Sequence, residues 1–462
     1  MSRLCVAMVS DFFYPNIGGV ENHIFELSQQ LIKHGVKVII ITHSYGRRKG
    51  IRWMNNGLKI YYIPRLLFIR QSTFPTALAP FALVRNIFIR EQVNIFHGHT
   101  SYSTLCHEVL RLAHTMGIRS CITEHSLTET EHSGASAIDY LTEWSVCLVD
   151  HAICVSKACK ANYIKRTKID EDKVIVINNA VDTNKFSPRT EQEKQDIYQE
   201  KLKIENETGE KIITISILSR LTFRKGAELM VGLIPIICNK YKNVRFFVGG
   251  GGVKKIDLEN MVSEQKLESR VTLFDNIPHI QARDFLIKGD ILLSTSLTEA
   301  FGIVLLEGAS CGLYVVSTNV DGVPEVLPPH MVTLADPNVD SLVVALSSAI
   351  DRFYTIDTSS FHNEILSLYS WSSVAEKTIA VYRDMVQSEF PKTPYLLKKF
   401  FRLGWFRGII FTAHLYLFQL IRSIMNYVYP KREMDIAPSF SFTNRVSRFG
   451  ELCEQEERQV ND

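Results

Sequence analysis

Short apolar runs alternate with amphipathic stretches over the first 180 residues of the chain. Leu4–Val9 is a continuous apolar run of the kind that forms a buried parallel strand. Val20–His34 then repeats its apolar residues at helical spacing, and Val36–Thr42 is a second apolar run. Further strands are predicted at Leu58–Ile63, Val93–Phe96, Arg119–Thr123, Ala152–Val155 and Lys173–Asn178, with a helix at Leu105–Met116. This alternation predicts β/α units around a parallel sheet.

The alternation stops in a polar stretch and then starts again. Asp182–Gly209 is dense in Glu, Lys and Gln and contains Pro188, so we expect a solvated connector or a surface insertion there. New strands are predicted at Ile212–Leu218, Val244–Gly249, Val271–Phe274, Asp290–Ser294 and Leu313–Ser317, and helices at Gly226–Tyr241, Gly302–Cys311, Ser341–Phe353 and Trp371–Val386. Two such series predict an α/β protein with two Rossmann-like domains that face a cleft, with ligands at the carboxyl ends of the strands.

These patterns divide the chain into five predicted segments. An N-terminal Rossmann-like domain covers residues 1–185, and a linker or insertion follows at 186–210. A C-terminal Rossmann-like domain covers 211–365, and a helix at 366–390 returns to the first domain. Residues 391–462 form a tail of different composition.

The tail contains a long apolar segment. Gly408–Ile421 carries no formal charge, Arg422 interrupts it, and Ser423–Tyr429 continues it. A helix that spans a bilayer needs about 20 apolar residues, so this segment is marginal by length. Basic residues on both sides and several aromatic side chains favour contact with a membrane. Spanning the bilayer and lying in its interface both stay open, and a helix packed on the body of the protein is the alternative.

Composition and charge exclude several classes of protein. Hydrophobic residues make up 46% of the chain and charged residues 22%, as in a packed globular protein. The formal net charge of +3 is too balanced for a general nucleic-acid binder, which must neutralise many phosphates. The nine cysteines are scattered and contain no C-x-x-C pair, which indicates reduced thiols facing the cytosol rather than a disulfide framework.

Two loops carry features suited to a diphosphate. Gly18 and Gly19 stand directly before a predicted helix, where backbone can approach a phosphate and the helix N-terminus favours the anion. Arg220 and Lys225 follow the first strand of the second series, with Arg224 as a neighbour that could replace either of them. A guanidinium and an ammonium suit a diphosphate, although a turn and a solvated basic loop are the ordinary structural explanations.

The segment Glu299–Glu307 is more specific. A strand ends at Ser294, a loop presents Glu299, and Glu307 follows two turns into a predicted helix. A carboxylate accepts two hydroxyl hydrogen bonds, which is what sugar or ribose diols require. Free backbone N–H groups at Phe301, Gly302 and Ile303 could hold a phosphate between the two carboxylates.

Histidines follow two neighbouring predicted strands. His97 and His99 end one strand and His125 follows the next. We reject a metal site, because no carboxylate or cysteine set with zinc spacing accompanies these histidines. Hydroxyl recognition or charge stabilisation at the strand ends fits better, and a structural hydrogen-bonding role is the alternative for any one of them.

Taken together, the chain resembles the retaining GT-B glycosyltransferases of the family-4 type over roughly residues 3–388. Three segments add a resemblance to the catalytic subunits of phosphatidylinositol N-acetylglucosaminyltransferases: Ser10–His23, Ser296–Phe301 and Val323–Pro328. The resemblance implies transfer of GlcNAc from UDP-GlcNAc to phosphatidylinositol, with retention of configuration, as the first step of glycosylphosphatidylinositol anchor synthesis. It also implies the cytosolic side of the endoplasmic reticulum membrane, other subunits of a complex, and catalysis without a metal or other cofactor.

The same resemblance implies that the domain at 1–185 is the acceptor domain, that the domain at 211–365 is the nucleotide-sugar domain and that the tail at 391–462 associates with a membrane. It also implies a role for each motif residue. Gly18 and Gly19, Arg220 and Lys225, and the backbone of Phe301, Gly302 and Ile303 bind the donor, with Glu307 on the uridine ribose. Glu299 binds the donor sugar and His125 lies in the catalytic pocket, while His97 and His99 are expected near the acceptor. Asp321 stands where the family commonly has Gly, and Gly249–Gly252 lacks the usual Gly-x-Gly-Pro ending, so we expect these loops near the nucleotide to differ in shape from the family pattern while no functional group is lost. Two alternatives stay open: a lipid-directed transferase that uses another donor such as GDP-mannose, and a non-catalytic subunit that binds sugar nucleotides.

Overall fold

The computed structural model describes residues 3–16, 18–54, 56–69, 71–76, 78, 80–127 and 133–437. The end of the predicted tail, residues 438–462 with Cys453, lies outside the described residues.

The first domain is built on an eight-stranded sheet. Its strands, with a separate two-stranded hairpin β5–β6, are Cys5–Val9 (β1), Lys37–His43 (β2), Gly50–Trp53 (β3), Lys59–Ile63 (β4), Leu67–Ile69 (β5), Ser72–Thr73 (β6), Ile95–His99 (β7), Arg119–Glu124 (β8), His151–Cys154 (β9) and Val174–Val176 (β10). The order is β10-β9-β8-β7-β1-β2-β4-β3, with only β3 antiparallel to its neighbour. β1 is fully buried because helices cover both faces of a parallel sheet.

The second domain repeats this plan with six parallel strands. They are Ile213–Leu218 (β11), Val244–Gly249 (β12), Val271–Phe274 (β13), Ile291–Ser294 (β14), Tyr314–Thr318 (β15) and Val332–Ala335 (β16), in the order β13-β12-β11-β14-β15-β16. Two Rossmann-like domains are therefore present, as the sequence predicts.

Helices cover both sheets. They are Gly19–Lys33 (α1), Phe81–Glu91 (α2), Thr104–Thr115 (α3), Ser133–Leu148 (α4), Lys157–Thr167 (α5), Glu191–Thr208 (α6), Ala227–Lys240 (α7), Lys255–Glu264 (α8), Ala282–Leu286 (α9), Ile303–Ser310 (α10), Val339–Asp351 (α11), Phe361–Leu368 (α12), Trp371–Gln387 (α13), Thr393–Arg402 (α14) and Trp405–Val428 (α15). α13 leaves the second domain and packs on the first, where Val374 and Tyr382 share a core with Met8 and Ile24.

The polar stretch expected to be a connector or insertion contains helix α6. Thr190 and Glu193 form a capping box at its start, and Gly209, with φ +74°, ends it. Arg283 donates to both carboxylate oxygens of Glu193 at 2.7 and 2.9 Å, which attaches the helix to the second domain. Local capping and long-range ion pairs thus make a helix of a segment that has no apolar face.

The apolar tail segment is one continuous helix, α15. It is long and apolar enough to cross a membrane, and 22% of its most apolar window is buried inside the protein. Phe411 stacks on Trp144 with ring centroids 4.6 Å apart, and Phe418 meets Phe81 at 5.4 Å. Arg422, which interrupts the uncharged run in the sequence, lies within this helix, and its guanidinium donates to the carbonyl oxygen of Thr115.

Candidate functional site

The site lies where the carboxyl ends of the two parallel sheets face each other. Three contacts join the domains there. The Ser156 hydroxyl donates to the carbonyl oxygen of Ala300 at 2.6 Å, and the Glu325 carboxylate accepts the N–H groups of Lys157 and Ala158 at 2.8 and 2.9 Å. Glu325, from the second domain, therefore caps helix α5 of the first, which fixes one side of the cleft.

The glycine loop after β1 presents open backbone to the cleft. A Cβ on Gly18 would lie 2.5 Å from a carboxylate oxygen of Glu21, whereas a Cβ on Gly19 would meet nothing within 4 Å. Glu21 is buried, which raises its pKa, and the Arg220 guanidinium of the other domain opposes that rise. Arg220 thus acts on Glu21 across the cleft, and the Glu21 carboxylate itself lies at the start of α1, where it accepts its own backbone N–H.

Lys225 and Glu299 meet as an ion pair in the second domain. Gly226, with φ +68°, makes the encounter possible, because a Cβ there would lie 1.8 Å from the carbonyl oxygen of Thr295. The Thr295 hydroxyl donates to the carbonyl oxygen of Lys225 at 3.0 Å. The side chains of Lys225 and Glu299 remain 25% and 19% exposed, so both can be reached from solvent.

Asp321 holds the backbone of Glu299. Its carboxylate accepts the Glu299 N–H at 3.1 Å, and the Gly322 N–H donates to the Glu299 carbonyl at 3.1 Å. Asp321 has φ +44°, a conformation that aspartate tolerates better than most residues. The residue that departs from the family pattern is therefore a second support for the Glu299 loop.

Glu307 lies on the buried side of helix α10. Its carboxylate pairs with Nε2 of His279 at 3.2 Å, and Nδ1 of His279 contacts the Lys185 ammonium at 2.7 Å. Burial lowers the pKa of Lys185, while the negative charge of Glu307 opposes the shift. His279 and Lys185 were not predicted, because both are far from Glu307 in the sequence and no motif indicates that these side chains meet.

Helix α10 begins at the predicted phosphate-binding turn. Gly302 has φ +86° and precedes the first helical residue, Ile303. The first N–H groups of a helix have no partner within it, so this end can receive an anion. The Phe301 side chain is buried against the Tyr369 ring, so only the backbone of Phe301 faces the cleft.

The predicted histidines form one cluster with a fourth. His99 Nδ1 lies 3.1 Å from His125 Nε2, and the His23 ring packs on His125 with centroids 4.5 Å apart. His97 stacks on His99, while its two nitrogens contact the hydroxyls of Tyr382 and Thr123 at 2.6 and 2.7 Å. His23 belongs to the segment Ser10–His23 that carries the family resemblance, which is the signal that could have predicted it.

Burial keeps these imidazoles neutral. It lowers the pKa of His23 to about 4 and that of His97 to about 3, and it lowers the pKa values of His99 and His125 well below their usual range. His97 and His99 are fully buried, with both ring nitrogens of each in contact with the protein. Direct contact of His97 or His99 with an acceptor stays a prediction, since neither ring is exposed to solvent in this structure. His125 is half-buried and presents the cluster to the cleft.

Glu124 positions His125. Its buried carboxylate accepts the N–H groups of His125 and Ser126 at 3.0 and 3.1 Å, and that of Ser101 at 3.1 Å. One carboxylate thus ties the loop after β8 to the loop after β7. Sequence reasoning missed it, because a glutamate at the end of a strand has no distinctive spacing.

His23, His99 and His125 are also the one possible metal-binding group found among the described residues. Their ligand nitrogens all lie within 4.8 Å of one another. Three neutral imidazoles are a donor set that zinc accepts. A metal ion here would have to replace the hydrogen bond between His99 and His125, and the absence of a metal stays a prediction.

The comparisons with known proteins cover almost the whole chain. A family model described as "PIGA (GPI anchor biosynthesis)" matches residues 43–131, and one described as "Glycosyl transferases group 1" matches residues 198–353. A phosphatidylinositol N-acetylglucosaminyltransferase subunit of Arabidopsis thaliana is 43% identical over 436 residues, 94% of each chain. The chain belongs to this family of phosphatidylinositol N-acetylglucosaminyltransferase subunits. The human member of the family is 40% identical over 451 residues, 96% of this chain and 90% of the human one.

Solved structures agree on the fold. A sucrose-phosphate synthase from Thermosynechococcus elongatus has a TM-score of 0.68 at 17% identity, over 84% of this chain and 100% of that one. WaaG, a glycosyltransferase involved in lipopolysaccharide biosynthesis, has a TM-score of 0.60 at 15% identity, over 81% and 99%. The GT-B fold and the family resemblance are confirmed, and this member of the phosphatidylinositol N-acetylglucosaminyltransferase family is a glycosyltransferase.

Proposed function

We propose that this chain transfers N-acetylglucosamine from UDP-GlcNAc to phosphatidylinositol with retention of configuration. The reaction is the first step in building a glycosylphosphatidylinositol anchor. The relatives' names support the sugar and the lipid. The observation that carries the proposal is the cleft itself. The partly exposed Lys225–Glu299 pair, the buried Glu307 and the half-buried His125 lie beyond the facing carboxyl ends of the two sheets, in a chain about 40% identical to those relatives.

The donor diphosphate binds between the domains in this proposal. Lys225, Arg220 and the open backbone at Gly19 supply its positive surroundings. Binding draws Lys225 toward the phosphates, which frees the Glu299 carboxylate to accept hydrogen bonds from sugar hydroxyls. As the bond to the sugar breaks, negative charge grows on the leaving UDP, and preorganised cations stabilise that charge.

Glu307 serves the other end of the donor. Its carboxylate is fixed by His279, which in turn contacts Lys185, so the acceptor oxygens of Glu307 are oriented before the ligand arrives. A ribose diol is the partner that such a fixed carboxylate suits. This contact is the same in the ground state and the transition state, so it contributes affinity rather than rate.

His125 acts as a neutral hydrogen-bonding group. With its pKa well below the usual range, its imidazole offers a lone pair or an N–H to a sugar hydroxyl without carrying charge. No side chain of the described cleft is assigned as a nucleophile. The acceptor hydroxyl attacks the anomeric carbon from the face that the diphosphate leaves, and its proton goes to the departing phosphate oxygen.

We place the enzyme at the cytosolic side of the endoplasmic reticulum membrane, as one member of a complex. The names of the relatives as subunits support the complex, and helix α15 supports the membrane. The eight described cysteines are all free and buried, which fits a reducing compartment.

Competition between nucleotide sugars tests the donor. The assembled complex should lose its transfer of labelled GlcNAc when UDP is added in excess, and GDP-mannose should have no effect at the same concentration. Inhibition by GDP-mannose together with mannose transfer would replace the proposed donor. UDP binding without any transfer, by a complex shown to be complete, would leave only a non-catalytic binding role.

A further inference from the structure

The β5–β6 hairpin carries an apolar patch on its outer side. Leu66, Leu67, Phe68 and Phe74, which we name the hairpin patch, are 80%, 49%, 60% and 48% exposed. They are contiguous, because the Phe74 N–H donates to the Leu66 carbonyl at 2.7 Å and the rings of Phe68 and Phe74 pack edge to face at 5.5 Å. Single exposed apolar residues are ordinary, but a contiguous patch of this kind marks a contact surface.

The polar residues of the hairpin point the other way, into the protein. Arg65 donates to Glu108 at 2.6 Å, and both side chains are almost completely buried. The Ser72 hydroxyl donates to the Tyr102 carbonyl at 2.8 Å, and the hydroxyls of Thr73 and Thr104 lie 2.8 Å apart. Arg65, Ser72 and Thr73 therefore fix the hairpin from its inner side, while the four apolar side chains of the hairpin patch lie on its outer side, the reverse of a soluble loop.

Three cations lie beside the hairpin patch. Arg47, Arg48 and Lys49, the basic turn, are exposed at the start of edge strand β3. The pairing of Gly50 with Tyr62 places this turn next to the end of β4, where the chain leaves for the hairpin. Exposed aromatic and aliphatic side chains flanked by basic residues are the signature of an element that lies in the interface of an anionic membrane.

The hairpin patch is also close to the proposed acceptor side of the cleft. Ser72 and Thr73 of the same hairpin bond to Tyr102 and Thr104, which attaches the hairpin to the loop that follows His99. Helix α3, which starts in this loop, contacts α15 near its other end through Thr115 and Arg422. One helix thus connects the hairpin patch, the histidine cluster and the apolar tail helix.

We infer that the hairpin patch is a second membrane contact, which inserts into the lipid leaflet that holds the acceptor while the basic turn binds anionic headgroups. Leu66, at 80% exposed, projects from the surface, which suits a bilayer better than a groove on a partner protein. The inference rests on the proposed lipid acceptor, since the contact presents the cleft to the membrane surface. It is independent of which sugar nucleotide is the donor.

A fluorescent probe tests the insertion directly. The full-length chain is reconstituted in nanodiscs of phosphatidylcholine with one fifth phosphatidylinositol, carrying an environment-sensitive label at Phe68→Cys. A label at Val344→Cys, on α11 of the second domain and 70% exposed, is the matched control. The chain without an introduced cysteine measures any labelling of native thiols.

We expect the emission at position 68 to shift to the blue and to be quenched by a nitroxide on the lipid, with neither effect at 344. Equal emission at the two positions would overturn the inference. A blue shift at position 68 that appears only when the other subunits are present, and without quenching by the lipid nitroxide, would assign the hairpin patch to a protein partner instead. An equal shift in pure phosphatidylcholine would overturn the role of the basic turn.

Kinetics give a second readout. In Leu66→Ser with Phe68→Ser, we expect KM for phosphatidylinositol in a bilayer to rise at least tenfold, with kcat and the donor KM unchanged. The variant should transfer GlcNAc to a soluble short-chain phosphatidylinositol at the same rate as the unaltered chain. Val344→Ser with Tyr354→Ser, which removes two side chains of similar exposure, is the control. An unchanged KM for phosphatidylinositol in the bilayer would contradict the inference. If no transfer occurs at all, the proposed function fails, and the fluorescent probe still decides whether the hairpin patch inserts into the membrane.

Discussion

Gly226 and Gly209 offer a matched test of how the donor loop is built. Their backbones are nearly the same, with φ +68° and +74°. Alanine in this left-handed region costs about 1–2 kcal/mol at either position. A Cβ at 209 meets nothing within 4 Å, whereas one at 226 would lie 1.8 Å from the carbonyl oxygen of Thr295. The two substitutions therefore differ in this one contact.

The contact in Gly226→Ala must open by about 1.6 Å, from 1.8 Å to the 3.4 Å at which ordinary contact begins. That movement separates the Lys225 loop from the loop that carries Glu299. Misplacing a reacting group by 1 Å can cost about 10²-fold in rate. We therefore expect kcat/KM to fall on the order of 10²-fold in Gly226→Ala and to change less than about twofold in Gly209→Ala.

The assay measures transfer of labelled GlcNAc per assembled complex, alongside thermal unfolding of each variant. Both variants should be destabilised, Gly226→Ala more than Gly209→Ala. Equal activity of the two variants would refute the reasoning, since it would mean that the approach of the two loops is not needed. Loss of activity in Gly209→Ala at unchanged stability would refute it as well.

Four further predictions concern the chemistry of the cleft. Glu299→Gln should lower kcat by about 10²-fold while Glu307→Gln mainly raises the donor KM, and steady-state kinetics showing equal KM effects alone would contradict this. Lys225→Ala should cost on the order of 10²-fold in transfer rate and Lys225→Arg should rescue it only partly, whereas full activity in the alanine variant would mean that another cation serves the diphosphate. Acidification from pH 7 to 5 should lower the free energy of unfolding by about 2 kcal/mol for each of His23 and His97, because their folded pKa values of about 4 and about 3 lie below the unfolded value of 6.5. This contribution to stability is full above pH 6.5 and is lost as the pH falls. A free energy of unfolding, measured by chemical denaturation, that does not change between pH 7 and 5 would contradict the prediction. EDTA should leave the transfer rate unchanged, and a loss restored by zinc would show that the three-histidine group holds a metal.

Much of the fold follows from local patterns. β1 is a continuous apolar run because a parallel sheet buries both faces, and that pattern is visible in the sequence. α6 was expected as a connector or insertion, because no apolar face identifies it and its ion pairs come from distant residues such as Arg283. The placement of the segment that forms α15 was left open, because a charge such as Arg422 in an apolar segment can be evaluated only once its partner, the Thr115 carbonyl, is known.

Some residues of the candidate site could be identified from the sequence and others could not. Residues that lie in strand–loop–helix motifs, such as Lys225 and Glu299, were identified by position, and the fold brings these two together. His279 acts through contacts with segments far apart in the chain, and a single sequence does not reveal such contacts. His23 stands in the segment that carries the family resemblance, and Glu124 adjoins His125 but has no distinctive spacing of its own. The burial of His97 was also unpredictable, since Tyr382 of α13 covers it only after the chain returns to the first domain.

Transfer of GlcNAc to phosphatidylinositol is the central claim, and one measurement tests it most directly. Membranes that contain this chain with its partner subunits are supplied with labelled UDP-GlcNAc and phosphatidylinositol, and the chloroform-soluble product is separated and counted. We expect a labelled glycolipid that a phosphatidylinositol-specific phospholipase cleaves, and its loss in membranes carrying Glu299→Gln. Assembled complex that binds UDP but forms no labelled lipid would contradict the claim.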